Sequence, residues 1–127
     1  MIHFNEIQGI LEQLKKQWLQ KGPNTIDALY TKDAELISSA HPAIYRGNQE
    51  IASFYPNLFK DSVTQVTTLN ISEKWLSDEL ASVYWNIQLQ FKAVTFQNVH
   101  MSLLIKKHIH QSKILLHHIS FHKKPQL

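Results

Sequence analysis

The sequence predicts an α+β domain, with three N-terminal helices on the concave face of a cone-shaped, strongly curved antiparallel sheet. Three observations carry this. Apolar residues recur at spacings of three and four as far as Phe59. From Val63 onward they alternate with polar ones while β-branched residues accumulate. The chain of 127 residues, 43% hydrophobic and 18% charged with 3 Gly and 4 Pro, suffices for one core and one domain, residues 1–127.

In the first helix Phe4, Ile7, Leu11, Leu14 and Trp18 form one apolar stripe, with Glu6, Glu12, Lys15 and Lys16 between them. It ends at Lys21-Gly22-Pro23, because glycine takes the left-handed C-terminal position and proline cannot extend a helix. Asn24 or Thr25 caps a short second helix carrying Ile26, Leu29 and Tyr30, with Asp27 near its positive end, which stops near Lys32-Asp33. Residues 34–38 and 43–46 are short extended pieces around a turn or mouth loop at Ser39-Ala40-His41-Pro42. Asn48 caps a third helix bearing Ile51, Phe54, Leu58 and Phe59, in which Pro56 forces a kink or a fresh turn.

Strands follow. Residues 63–71 alternate, and Ser77-Asp78-Glu79 is a turn. Ala81, Val83, Trp85, Ile87, Leu89 and Phe91 then interleave with Ser82, Tyr84, Asn86, Gln88 and Gln90, the clearest amphipathic strand in the chain. A third strand covers about 96–107, with a soft boundary at Lys92-Ala93-Val94-Thr95, and a last one covers 113–122.

Composition excludes several function classes. With no Cys, disulfides, thiolate metal sites and cysteine nucleophiles are impossible. The formal charge of +3 comes from lysines scattered in pairs, Lys15-Lys16, Lys106-Lys107 and Lys123-Lys124, rather than from a basic face, so no nucleic-acid partner is expected. The start lacks a basic region followed by an apolar run and no stretch is long enough for a membrane span, so a cytoplasmic location is expected. Gly-x-Ser-x-Gly and Gly-rich phosphate loops are absent, which sets aside nucleophile-elbow hydrolysis and the hydride and phosphoryl transfer built on such loops.

Three segments carry a family resemblance: Ile26-Asp27-Ala28-Leu29-Tyr30-Thr31-Lys32-Asp33-Ala34-Glu35-Leu36; Tyr45-Arg46-Gly47-Asn48-Gln49-Glu50-Ile51 with Phe54; and Lys113-Ile114-Leu115-Leu116-His117-His118-Ile119-Ser120. In this order and spacing they resemble the nuclear transport factor 2-like superfamily, nearest its SnoaL-like and calmodulin-dependent kinase association-domain-like branch. The resemblance implies a cavity between sheet and helices, and pairing of two copies through the outer sheet face. Where that branch has Trp before the final strand this chain has Ser112, and where it commonly has Arg followed two residues on by Thr it has His100 and Ser102.

Of the 8 His, six (His100, His108, His110, His117, His118 and His122) crowd the last quarter. A three-residue loop at Ile109, His110 and Gln111 sets Ser102 opposite His118 and His100 opposite Ser120. If that face is concave, the four groups hydrogen-bond an oxygen-rich ligand or move a proton near neutral pH; otherwise they satisfy one another or water in a partly polar core. Val99, Met101, Leu103, Ile105, Leu115, Ile119 and Phe121 then face outward and meet a second copy. The opposite assignment turns His100 and His118 outward and the aliphatics into the core.

The leading reading is a small-molecule-binding domain with ligand contacts from Tyr30, His41, Tyr45, Trp85, His100, Ser102, His118 and Ser120. An alternative is an isomerase, cyclase or dehydratase using His118 or Asp33 for proton transfer. The resemblance allows a ketosteroid-isomerase-like variant, drawing its carboxylate from Asp33 or Asp27 and its donors from Tyr30 and Tyr45. A third reading is a non-catalytic dimerisation or partner-binding module. His108-x-His110 with His118 and His122 has only suggestive metal spacing, so neither a physiological metal nor a cofactor is expected, although exposed imidazoles can take up nickel or zinc adventitiously.

Overall fold

The computed structural model describes residues 1–19, 25–57, 62–92 and 96–122, and of His41, Pro42 and Asn57 the backbone only. The predicted helix stop at Lys21-Gly22-Pro23, the cap at Asn24, the helical positions Leu58 and Phe59, and Ala93-Val94-Thr95 lie outside these residues.

Helix α1 (Phe4–Trp18) forms as its stripe requires, burying Ile7, Ile10, Leu11, Leu14 and Trp18; Phe4 is exposed, and Ile10 takes its place in the buried set. The His3 N–H donates to the Glu6 carboxylate at 2.7 Å and closes the N-terminus. Lys107 Nζ also donates to Glu6, which ties the first turn of α1 to the end of a strand. Both interactions favour the ionised carboxylate, the Lys107 hydrogen bond most, and hold the Glu6 pKa below its ordinary value.

The second predicted helix is a correction. Ile26–Leu29 form one 3-10 turn, and Tyr30 already begins strand β1 (Tyr30–Ser38). Pairing with the last strand overrides weak helical spacing: Tyr30 lies beside Ile114, and Tyr30-Thr31 suit a strand better than a helix. Strand β2 (His41–Arg46) returns antiparallel to β1. Gly47 then takes φ 85°, which admits glycine most readily, and its N–H donates to Ala34 O at 2.7 Å. Helix α2 (Asn48–Phe54) follows, and Tyr55–Asn57 form the fresh 3-10 turn that Pro56 demands. Among the described residues there are therefore two α-helices rather than three.

Strands β3 (Val63–Ser77), β4 (Leu80–Phe91), β5 (Phe96–His108) and β6 (Gln111–Phe121) complete a six-stranded sheet in the order β2-β1-β6-β5-β4-β3. It is mixed, not antiparallel throughout, because β1 runs parallel to β6. Nor is it the strongly curved cone expected. Neither of the described glycines, Gly9 and Gly47, falls in a strand, where one could bend it sharply, and the ladder irregularities are local.

Of the alternating residues of β4, Ala81, Val83, Trp85, Ile87 and Leu89 are buried and Phe91 is half-buried, and α1 lies over this inner face with Trp18 stacked on Trp85 at 5.4 Å. Val99, Met101, Leu103 and Ile105 join them in the core. The expected facing of the last two strands is thus reversed. With helices on a single side, the more apolar side of the sheet must be the one they cover. No helix among the described residues is long and apolar enough to cross a membrane.

Candidate functional site

Between α1 and the β3–β4 edge lies a groove of about 260 Å³, lined by Gln8, Leu11, Glu12, Lys15, Thr68, Ile71 and Trp85. Helical spacing places Gln8, Glu12 and Lys15 on the α1 flank that overhangs β3. Leu11, Ile71 and Trp85 make the apolar wall. Trp85 is fixed on both sides: its Nε1–H donates to Thr68 Oγ1 at 3.1 Å, and Trp18 covers its ring. Lys15 Nζ donates to Glu12 Oε1 at 3.2 Å and sits 5.9 Å from the centre of the Trp85 ring, so the groove holds one cation and one anion at its rim.

Behind this wall a chain of polar groups runs into the core. Tyr30 Oη lies 2.6 Å from Tyr55 Oη and 2.6 Å from His117 Nδ1, and His117 Nε2 lies 3.4 Å from Met101 Sδ. All are buried. The Trp18 indole, which can only donate, favours the Tyr55 oxygen as an acceptor. One assignment uses every atom: Tyr55 O–H donates to Tyr30, Tyr30 O–H donates to His117 Nδ1, and His117 carries its proton on Nε2 toward the sulfur.

Burial pushes both tyrosine hydroxyls up, Tyr30 also through its neighbour Tyr55, so both stay protonated. Burial also pushes the His117 imidazole down to about 3, with the His118 charge adding to it, so His117 is neutral at physiological pH. The chain is a set of fixed dipoles that donates and accepts hydrogen bonds without carrying charge.

The predicted site residues fall in five places. Tyr30 is in the buried chain and Trp85 in the groove wall. Tyr45 is half-buried on β2, its ring 4.1 Å from that of Phe54, and His41 opens β2 with its side chain outside the described residues. His100, Ser102, His118 and Ser120 do come together by register, His100 beside Ser120 and Ser102 beside His118. They lie on the outer face, with Ser102 and His118 exposed, and do not line the groove. Asp33 is exposed and accepts a 2.8 Å hydrogen bond from Thr31 Oγ1, and that bond, ahead of smaller backbone and charge effects, holds its pKa down. The hydrogen-bond partners of the Tyr30 hydroxyl are Tyr55 and His117 rather than Asp33 or Asp27.

The sequence reading missed His117 and Tyr55. The cause at His117 is a bulge. Ile105 pairs with Ile114 but Leu104 pairs with Leu116, so Leu115 is an extra residue that flips the facing of everything after it and turns His117 inward. The hairpin closes at His108 and Gln111 around only Ile109-His110, and the bulge restores the register that a three-residue loop would have given. Ile114 and Ile119, five apart, would face opposite sides of an unbroken strand, and the bulge is what lets both be buried on one side.

No family model matches the chain, and no curated protein matches it in sequence. Solved structures do match in shape. A candidate ketosteroid isomerase from Parabacteroides distasonis superposes with a TM-score of 0.75 at 13% identity, covering 92% of this chain and 88% of that one. A candidate calcium/calmodulin-dependent protein kinase II association domain from Xanthomonas campestris gives 0.77 at 14% identity, over 100% and 91%. A nuclear transport factor 2-like protein of unknown function from Pseudomonas putida gives 0.78 at 11% identity, over 96% and 88%. The chain therefore has the nuclear transport factor 2-like, cystatin-like fold.

Proposed function

We propose that the protein is a small-molecule-binding domain whose ligand lies in the groove between α1 and β3–β4. The observation that carries this reading is the groove itself: an apolar wall of Leu11, Ile71 and Trp85 rimmed by the polar groups of Gln8, Glu12, Lys15 and Thr68. At about 260 Å³ it falls just short of the ~300–1,000 Å³ typical of drug-sized ligand sites, so the ligand is a compact molecule. Fold-mates that include a candidate isomerase and a candidate association domain are compatible with binding, catalysis and assembly alike. Binding is favoured over proton transfer, because among the described residues Tyr30, Tyr55 and His117 form a closed neutral chain with no carboxylate in hydrogen-bond contact.

Two copies pair, in the same proposal, across the outer sheet face. Register places Tyr84, Ser102, His118, Ile37 and Ile44 in one row, and Leu104 and Leu116 in the next. Tyr84, Ile44 and Leu116 are exposed there.

The groove is tested with 1-anilinonaphthalene-8-sulfonate as probe, following its fluorescence excited through the tryptophans. Saturable binding to the wild type, lost in Ile71→Arg with unchanged far-UV circular dichroism, is the expected result. Equal binding to both proteins would place the probe elsewhere and remove the groove from the account.

A further inference from the structure

We propose that the outer face of the sheet carries a divalent transition-metal site made by the imidazoles of His100 and His122 with the side-chain carbonyl of Asn86. The site owes nothing to the groove, which lies on the other side of the sheet; it shares the outer face and Tyr84 with the proposed pairing of two copies, so the ion lies beside that interface.

His100 is the centre of the arrangement. On one side β4 sets Asn86 directly opposite it in register, within one cross-strand spacing of about 5 Å. On the other, the His122 N–H donates to Asn98 O at 3.0 Å, which holds the chain beyond β6 against β5 and brings the two imidazole centres to 3.9 Å with their planes 54° apart. Tyr84 Oη lies 3.2 Å from His100 Nδ1. When Nδ1–H donates to that oxygen, the lone pair is on Nε2 and free to ligate a metal, with the phenol as its orienting partner.

A second observation points to a ligand independently of the histidines. Asn86 Oδ1 is buried and has no hydrogen-bond partner. Such an oxygen calls for a donor or a cation. Two imidazole nitrogens and one amide oxygen are a neutral donor set suited to Zn²⁺, Ni²⁺ or Cu²⁺, with water at the open position, and unsuited to Ca²⁺ or Mg²⁺, which prefer several oxygens. Among the described residues no three His, Cys, Asp or Glu side chains converge, so the amide oxygen is what distinguishes this place from a mere pair of histidines. An ion held tetrahedrally by two imidazoles sets their centres about 5 Å apart. The pair at 3.9 Å must therefore open by about 1 Å, which the exposed His122 can do by rotation.

The test is Zn²⁺ competition between the full chain and a chromophoric chelator, with far-UV circular dichroism confirming the fold of each variant. Wild type should take up one tight equivalent. His100→Ala and His122→Ala should each weaken it at least about tenfold, Tyr84→Phe should weaken it by about tenfold, and Asn86→Asp should tighten it by adding charge. His110→Ala, in the hairpin loop, should change it less than about twofold. Equal affinity in His100→Ala and wild type overturns the proposal. So does an equal loss in His110→Ala, which would mean adventitious uptake by exposed imidazoles only.

Discussion

His117 makes the stability of the fold depend on pH in a way that can be worked out beforehand. Its imidazole titrates near 6.5 in the unfolded chain and near 3 in the core, where burial dominates the shift. Between those values the unfolded state binds the extra proton, so stability rises with pH through this window and is lost as pH falls. The slope approaches about 1.4 kcal/mol per pH unit, and integration from pH 7 to pH 4 gives a loss of about 3 kcal/mol from this group alone. Urea unfolding of wild type and His117→Gln from pH 8 to pH 4 isolates it, because the other histidines contribute equally to both proteins. The wild type should lose about 3 kcal/mol more than the variant. Directly, the ring resonances of His117 should stay flat across the same range. Parallel pH curves, or a ring titration near 6.5, would refute the assignment of a neutral buried imidazole.

Other expectations follow from single contacts. Tyr30→Phe deprives Tyr55 and His117 of their common partner and should cost about 2–4 kcal/mol in urea unfolding. Deleting Leu115 should preserve cooperative thermal unfolding, since without the extra residue Leu116 and His117 keep their partners Leu104 and Leu103 and His117 still faces inward, and Leu115→Ala should cost about 1 kcal/mol. Lys107→Met should remove a contribution that the Glu6 carboxylate makes above its unfolded pKa and that is lost as pH falls through its lower folded one. The two proteins should then converge in stability at acid pH. Leu116→Lys, on the outer face, should shift sedimentation from dimer to monomer if two copies pair there.

Much of the fold was legible because period and composition report burial directly. The stripe of α1 and the alternation of β4 translate into buried residues almost position for position. The fresh turn at Pro56 follows from backbone chemistry alone, whereas the cap expected at Asn48 falls on Gly47 without a side-chain cap bond, and the Asn48 amide donates to Asp27 O instead. The 3-10 turn at Ile26–Leu29 was not legible, because Tyr30 is drawn into β1 by a partner, β6, more than eighty residues away. In the last two strands the pairing was legible and the facing was not. His100 beside Ser120 is a matter of register, while which side meets α1 depends on where the helices lie, and beyond Leu115 on one inserted residue. Tyr55 reaches Tyr30 only because α2 and its following turn pack on β1, a tertiary fact that no local pattern announces.

The claim that matters most is that a compact ligand occupies the groove beside Trp85. Proton–nitrogen correlation spectra of the labelled protein, recorded against a library of one- and two-ring fragments, test it most directly. The account predicts shifts concentrated at the amides of Gln8, Leu11, Thr68 and Ile71 and at the Trp85 indole N–H. Fragments that bind only at the outer face, or none that move the Trp85 signal, would contradict it.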